Sequence, residues 1–246
     1  MPCAFCGLPF DKAQGRARSG EHVLPSWTLG YVPGEGGPIT HSRQSSALGQ
    51  FDQVWTADEF DSVASRVCEA CNTGWMSDLE NAARPFLIPM LQGHGKHLHR
   101  GGQDLVAAWA VKTTLAVHLT TPEKAAPEEH YREMSRTHRP PLYTYVWLAA
   151  YDGSGPIAYH RSSELSGETT TGLAVHGYAT TLAVGHFVFQ VVGYEGLHEE
   201  VTFTAQGDLA QVVLGIRPFT DRIVWPPQGV LSWDALQTFG HVHETR

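Results

Sequence analysis

Apolar and polar positions alternate in two different rhythms along this chain. The clearest segment is 104–119, DLVAAWAVKTTLAVHL, which is apolar nearly all round; Lys112 is its one charge after Asp104. Such a pattern predicts a buried helix, with Asp104 as N-cap. Residues 120–127 end it, and 128–137 read as a short amphipathic helix. From 142 the texture becomes aromatic and β-branched, which predicts strands at 142–151, 173–184, 186–194, 209–216 and 221–225. Asp152-Gly153-Ser154-Gly155 predicts a turn that lets 157–160 pair back on 142–151, and the last two strands read as a pair. Pro226-Pro227 stops the final strand, and 232–239 predicts a closing helix capped by Ser232.

The first hundred residues are less periodic. Residues 74–92 look helical, with Trp75, Met76, Leu79 and Ala83 on one face, until Pro85 and Pro89 interrupt them. Residues 30–50, rich in Gly, Pro, Ser and Gln, predict a long loop; 51–67, with Phe51, Val54, Trp55, Phe60 and Val63, predict short strand pieces. Residues 11–20 predict a loop, and 21–25 (EHVLP) a short strand that Pro25 ends. Gly93 to Gly102 mark a boundary. The expected fold class is therefore α+β. One domain at 1–100 precedes an α+β domain at 101–246, with its buried helix against an antiparallel sheet.

The cysteines give the first half its chemistry. All four fall in two Cys-x-x-Cys pairs, Cys3/Cys6 and Cys68/Cys71, with 61 residues between the pairs. Four thiolates in this spacing suit a closed tetrahedral zinc site, which would contribute folding free energy to a segment with a thin core. No run of apolar residues is long enough to cross a membrane, and the N-terminus lacks the layout of a signal peptide, so a cytoplasmic location is expected. In that compartment a metal site is favoured over disulfides.

The formal charge is −8. Residues 1–100 carry 8 Lys and Arg against 10 Asp and Glu; residues 101–246 carry 9 against 15. A nucleic-acid partner would then be bound through local basic groups: Lys12, Arg16, Arg18 and Arg43 around Glu21-His22, and Lys96, His97, His99 and Arg100 after the second knuckle. His94, His97 and His99 could hold a second metal, lie in a polar linker or contact phosphate.

Alone, Glu21-His22 would be an unremarkable pair. Between two Cys-x-x-Cys motifs, and with Asn72 directly after Cys71, residues 1–90 resemble the HNH endonucleases. That family has a ββα-metal fold, an acidic-His strand, often a zinc knuckle of four Cys, and a helix starting at Asn or His. The resemblance implies a nuclease domain that hydrolyses phosphodiester bonds, with DNA as the expected substrate. His22 would be the general base that activates water. Glu21 and Asn72 would hold a catalytic Mg²⁺ or Mn²⁺, and the four Cys a structural Zn²⁺. Two positions depart from the pattern. Glu21 stands where Asp is frequent, and Met76 stands where many members carry a third ligand; Asp78 and Glu80 lie nearby, with a helix phase that singles out neither. The alternative is a non-catalytic zinc-binding module for nucleic acid or a protein partner. Residues 101–246 carry no recognised motif; positioning substrate or forming a homo-oligomer are the roles open to them.

Overall fold

The computed structural model describes residues 1–32, 39–45, 51–57, 63–120, 126–168, 172, 174–195, 209–217 and 221–240, the side chains of 39–45, 51–57, 166–168, 209–210 and 240 excepted. The expected positions Phe60 and 121–125 lie outside the described residues, as do the side chains of Arg43, Phe51, Val54 and Trp55.

The chain opens with the Cys3/Cys6 knuckle and a 3₁₀ turn at Lys12–Gln14, then strand β1 (Arg18–His22). A 3₁₀ turn follows at Ser26–Tyr31. Strands β2 (Ile39–Ser45) and β3 (Phe51–Ala57) form an antiparallel hairpin. This hairpin replaces part of the loop expected at 30–50; its ladder is a backbone pairing that needs no apolar alternation to form. Strand β4 (Val63–Cys68) pairs antiparallel with β1, and β1 itself begins at Arg18, inside the expected loop and three residues before the expected strand.

A short helix α1 (Glu69–Cys71), a wider π-type turn (Asn72–Met76) kinked at Gly74, and helix α2 (Ser77–Leu91) follow one another. Helix α2 runs through Pro85 and Pro89 instead of stopping at them. Each proline removes one backbone hydrogen bond. Pro85 is exposed and Pro89 only half-buried, so those losses fall away from the core, while Leu79, Ala83, Leu87, Met90 and Leu91 bury the opposite face.

Strand β5 (Lys96–Leu98) leads to helix α3 (Arg100–Thr120). The helix starts four residues before Asp104. His99, not Asp104, caps it: Gly102 N–H donates to His99 Nδ1 at 3.2 Å. Helix α4 (Glu128–Thr137) lies where an amphipathic helix is expected. The remaining strands are β6 (Thr144–Ala150), β7 (Ala158–Glu168), β8 (Ala174–Val184), β9 (Phe187–Tyr194), β10 (Val213–Arg217) after a short turn of helix α5 (Leu209–Val212), and β11 (Ile223–Trp225). Helix α6 (Trp233–Gly240) closes the described chain, with Ala235 N–H on Ser232 Oγ.

Five strands form one antiparallel sheet in the order β10-β6-β9-β8-β7. Two expected pairings are corrected here. Strand β7 pairs with β8, not with β6, because β6 is already taken by β9 and β10, and the end of β6 is bridged by Leu231. Strands β10 and β11 do not pair with each other: β11 pairs with β5. The β8–β9 hairpin turns at Gly185, whose φ of 55° is a left-handed value that suits glycine.

The fold is mixed helix and sheet, of the α+β kind. One hydrophobic cluster runs from Cys3 and Phe5 through Met76, Leu87 and Trp109 to Phe187, Phe189 and Trp225. Trp109 of α3 meets Phe189 edge-on at 5.5 Å between ring centres. Helix α3 is thus packed against both the α2 side and the sheet side, which places its one interior charge, Lys112, between them. Among the described residues no helix is long and apolar enough to cross a membrane.

Candidate metal centre and the surrounding site

The four cysteines converge from both ends of the first hundred residues. Cys3 and Cys6 come from the opening knuckle, where Gly7 (φ 76°) makes the tight turn and its N–H returns to Cys3 O at 3.1 Å. Cys68 ends β4 and Cys71 lies in α1. Ala4 N–H donates to Arg66 O at 2.8 Å, so backbone bonding joins the two pieces before any ion is considered. All four Sγ atoms lie within 4.8 Å of one another; Cys3–Cys71 is 4.0 Å and Cys6–Cys68 is 3.8 Å. A tetrahedron with Zn–S bonds of ~2.3 Å has sulfur–sulfur edges of about 3.8 Å. The cluster can therefore hold a metal such as zinc.

Electrostatics point the same way. The contact between the Cys3 and Cys71 sulfurs pulls the Cys3 thiol down to about 4; the same contact, together with burial, pushes Cys71 up. Burial pushes Cys68 up. Sulfurs this close cannot all ionise on their own, and a divalent cation removes that conflict. Among the described residues this is the one group of three or more His, Cys, Asp or Glu close enough to share an ion. His94, His97 and His99 are not brought together in such a group; His99 caps α3 and meets Phe86 edge-on, and His97 lies in β5.

Glu21, His22 and Asn72 surround the β1–β4 pair. The register of that pair shifts between Ser19 and Glu21, where Ser65 and Arg66 of β4 stand opposite Gly20 alone, a bulge on β4 facing Gly20. A Cβ at Gly20 would stand 2.7 Å from Val63 Cγ1, so glycine allows the close approach. After the bulge Glu21 is 4% exposed, while His22 points outward and is exposed. Asn72 ties the helical turn to the same bulge. Its Nδ2 donates to Ser19 Oγ at 2.9 Å and to Gly20 O at 3.0 Å. An amide that gives its NH₂ to two oxygens has its Oδ1 turned the other way, as the atom free to accept.

The buried Glu21 carboxylate is not left alone. Lys112 Nζ lies 2.7 Å from Glu21 Oε1 and 2.6 Å from Glu80 Oε1. Burial disfavours the ammonium, but the two carboxylates outweigh it and hold the Lys112 pKa above the ordinary lysine value. Burial pushes the Glu80 carboxyl up against the opposing pull of Lys112. Glu21 and His22 both act electrostatically on Glu80, so the four groups belong to one neighbourhood.

Lys112 and Glu80 are the members that motif reasoning misses. A signal for Lys112 exists: a lone lysine inside a helix that is apolar all round must find buried carboxylates, since an unpaired buried charge costs several kcal/mol or more. For Glu80 the signal is hidden by the π-type turn. Gly74 (φ −90°, ψ −116°) leaves helical geometry and resets the phase of everything after it. Met76, by contrast, is fully buried in the core and offers no ligand.

Three of the basic groups expected near the site, Arg16, Arg18 and Lys96, are engaged locally. Arg16 pairs with Asp11 at 3.7 Å, Arg18 sits 4.9 Å over the Phe10 ring, and Lys96 sits 5.1 Å over the Phe86 ring. Helix α4 reaches the knuckle as well: Arg132 Nη1 donates to the carbonyls of Cys3 and Ala4. Comparison of the chain with family models, with curated proteins and with solved structures returns no match.

Proposed function

We propose that this protein is a metal-dependent endonuclease of the HNH type that hydrolyses phosphodiester bonds in DNA. The observation that carries the reading is the juxtaposition at one β-bulge: Glu21 buried, His22 exposed, and Asn72 tethered to Ser19 and Gly20 beside a four-cysteine cluster. The pairing of β1 with β4 ahead of the helical segment is compatible with it, with the β2–β3 hairpin inserted between the two strands.

In this reading His22 accepts the proton of the attacking water. An exposed imidazole can reach a solvent molecule beside a bound phosphate. Asn72 tethers β1 just ahead of Glu21 and His22, and its Oδ1 is available as a hard oxygen donor. Glu21 supplies a carboxylate. Oxygen donors of this kind suit Mg²⁺ or Mn²⁺, and the triad of two carboxylates and one ammonium leaves one net negative charge to attract a cation. Such a cation, when bound, would stabilise the charge that develops on the phosphate and the leaving 3′ oxygen. Zinc on Cys3, Cys6, Cys68 and Cys71 would have a structural part, since four thiolates leave no open position.

A second reading has an observation of its own. Glu21 already has a buried partner in Lys112. That pairing suits a purely structural carboxylate in a zinc-stapled module that binds nucleic acid or a protein without cutting.

A cleavage assay separates the two. Zinc-loaded protein, freed of other divalent ions, is incubated with supercoiled plasmid, single-stranded DNA and RNA, with Mg²⁺ or Mn²⁺ added back. Nicking or linearisation of the plasmid that depends on added cation is expected. Protein that holds zinc but cuts none of the three substrates would favour the binding module.

A further inference from the structure

Three elements from distant parts of the chain meet at one ammonium. Lys112 comes from α3, Glu21 from β1 and Glu80 from α2. Lys112 is fully buried, and the side chains of Glu21 and Glu80 are 5% and 19% exposed. A buried ion group is an inefficient way to stabilise a core: apolar side chains of similar volume usually do as well or better. What such a group does supply is position. The ammonium accepts only arrangements in which two carboxylate oxygens approach it at hydrogen-bond distance, so it selects one setting of each carboxylate.

We propose that Lys112 and Glu80 are positioning residues of the His22 site, holding the Glu21 carboxylate in one buried setting and fixing the charge of the site at one net negative. The proposal rests on the nuclease reading above, and it gives helix α3, from the half that carries no recognised motif, a direct part in that site. Two carboxylates with no lysine would repel each other, and one carboxylate with a lysine would leave no net charge for a cation. The three-membered group alone meets both needs. Glu80 can join it because the break at Gly74 turns α2 so that Glu80, two turns beyond Asn72, faces Lys112 while Met76 turns into the core.

The test measures Mn²⁺ affinity of the full-length, zinc-loaded protein by electron paramagnetic resonance, beside plasmid cleavage. Glu80→Gln keeps the size of the side chain and an acceptor for Lys112, so folding is preserved; a thermal melt and the zinc content check this. Because one negative charge is lost close to the cation, Mn²⁺ should bind about tenfold more weakly. Cleavage should fall at low Mn²⁺ and recover at high Mn²⁺. The double variant Lys112→Met/Glu80→Gln keeps the net charge at the wild-type value but frees Glu21, and it should also bind Mn²⁺ weakly. A merely structural role would leave Mn²⁺ affinity unmoved in Glu80→Gln, and affinity within twofold of wild type there overturns the proposal. Wild-type affinity in a folded double variant overturns the positioning of Glu21. A wild-type protein that binds no Mn²⁺ overturns the proposal together with the cation-dependent part of the nuclease reading. If wild type binds Mn²⁺ but cuts no DNA, only the reaction fails, and the Glu80→Gln affinity still decides.

Discussion

Lys112 Nζ lies 2.7 Å from Glu21 Oε1, although 91 positions separate the two in sequence. The contact joins the small β1–β4 sheet to the middle of the longest helix among the described residues. Breaking it from one side should be costly. Lys112→Met leaves two carboxylates without their shared cation and should lower unfolding free energy by about 3–5 kcal/mol. The triple variant Glu21→Gln/Glu80→Gln/Lys112→Met, which removes every charge, should recover most of that loss. Denaturant unfolding of the three proteins measures both effects.

The cysteine cluster should bind one zinc per chain. Cobalt substitution should give the strong visible bands of a tetrahedral thiolate site. Cys68→Ser should release the metal, because a missing thiolate opens the tetrahedron and Cys68 joins β4 to α1. The knuckle and the β1–β4 pair should then become the first segments cut by protease, as read by mass spectrometry of the fragments.

Asn72 has two jobs that a single substitution can part. Asn72→Asp keeps an oxygen donor but loses the NH₂ that holds Ser19 and Gly20. It should retain Mn²⁺ binding while stability falls by about 1–3 kcal/mol. Asn72→Ala should lose both. Calorimetric titration with Mn²⁺ and thermal melts of the two variants give the comparison.

His130 makes stability depend on acid. Burial lowers its pKa from 6.5 to about 4, and its Nδ1 lies 3.1 Å from the buried Tyr178 hydroxyl. The unfolded chain protonates this group more readily than the folded one, so its contribution is present above pH 6.5 and is lost as pH falls towards 4. Between pH 7 and pH 5 the loss should be about 2 kcal/mol. His130→Gln should flatten the pH dependence of unfolding free energy by that amount, measured by denaturant titration at each pH.

Local chemistry in this chain was legible where a short motif or a strong period carried it. Two Cys-x-x-Cys pairs gave the metal cluster, and the apolar run around Trp109 gave the buried helix. Pairings that depend on distant partners were not legible. Nothing near β6 signals that β9 and β10 would claim both of its edges, so 157–160 read as its hairpin partner. Pro85 and Pro89 read as helix breakers because a sequence does not say which face of α2 meets solvent. Spacing alone leaves His99 open as a metal ligand, a linker residue or a phosphate contact, whereas its ring caps α3. Glu80 was unreadable for a geometric reason: an ideal helical phase counted from Asn72 fails at Gly74. Lys112 was visible as an oddity, one charge in an apolar helix, and only the fold names its partners.

The most direct measurement is the rate of Mn²⁺-dependent plasmid cleavage by His22→Ala beside wild type, with zinc content and Mn²⁺ binding confirmed equal in both. His22 is exposed, so its removal should leave the fold untouched. Loss of a positioned general base should slow cleavage by about 10²–10⁴-fold. Wild-type products should carry 3′-hydroxyl and 5′-phosphate ends. Equal rates for the two proteins would contradict the account, because they would leave the exposed histidine beside the buried Glu21 without a part in the reaction.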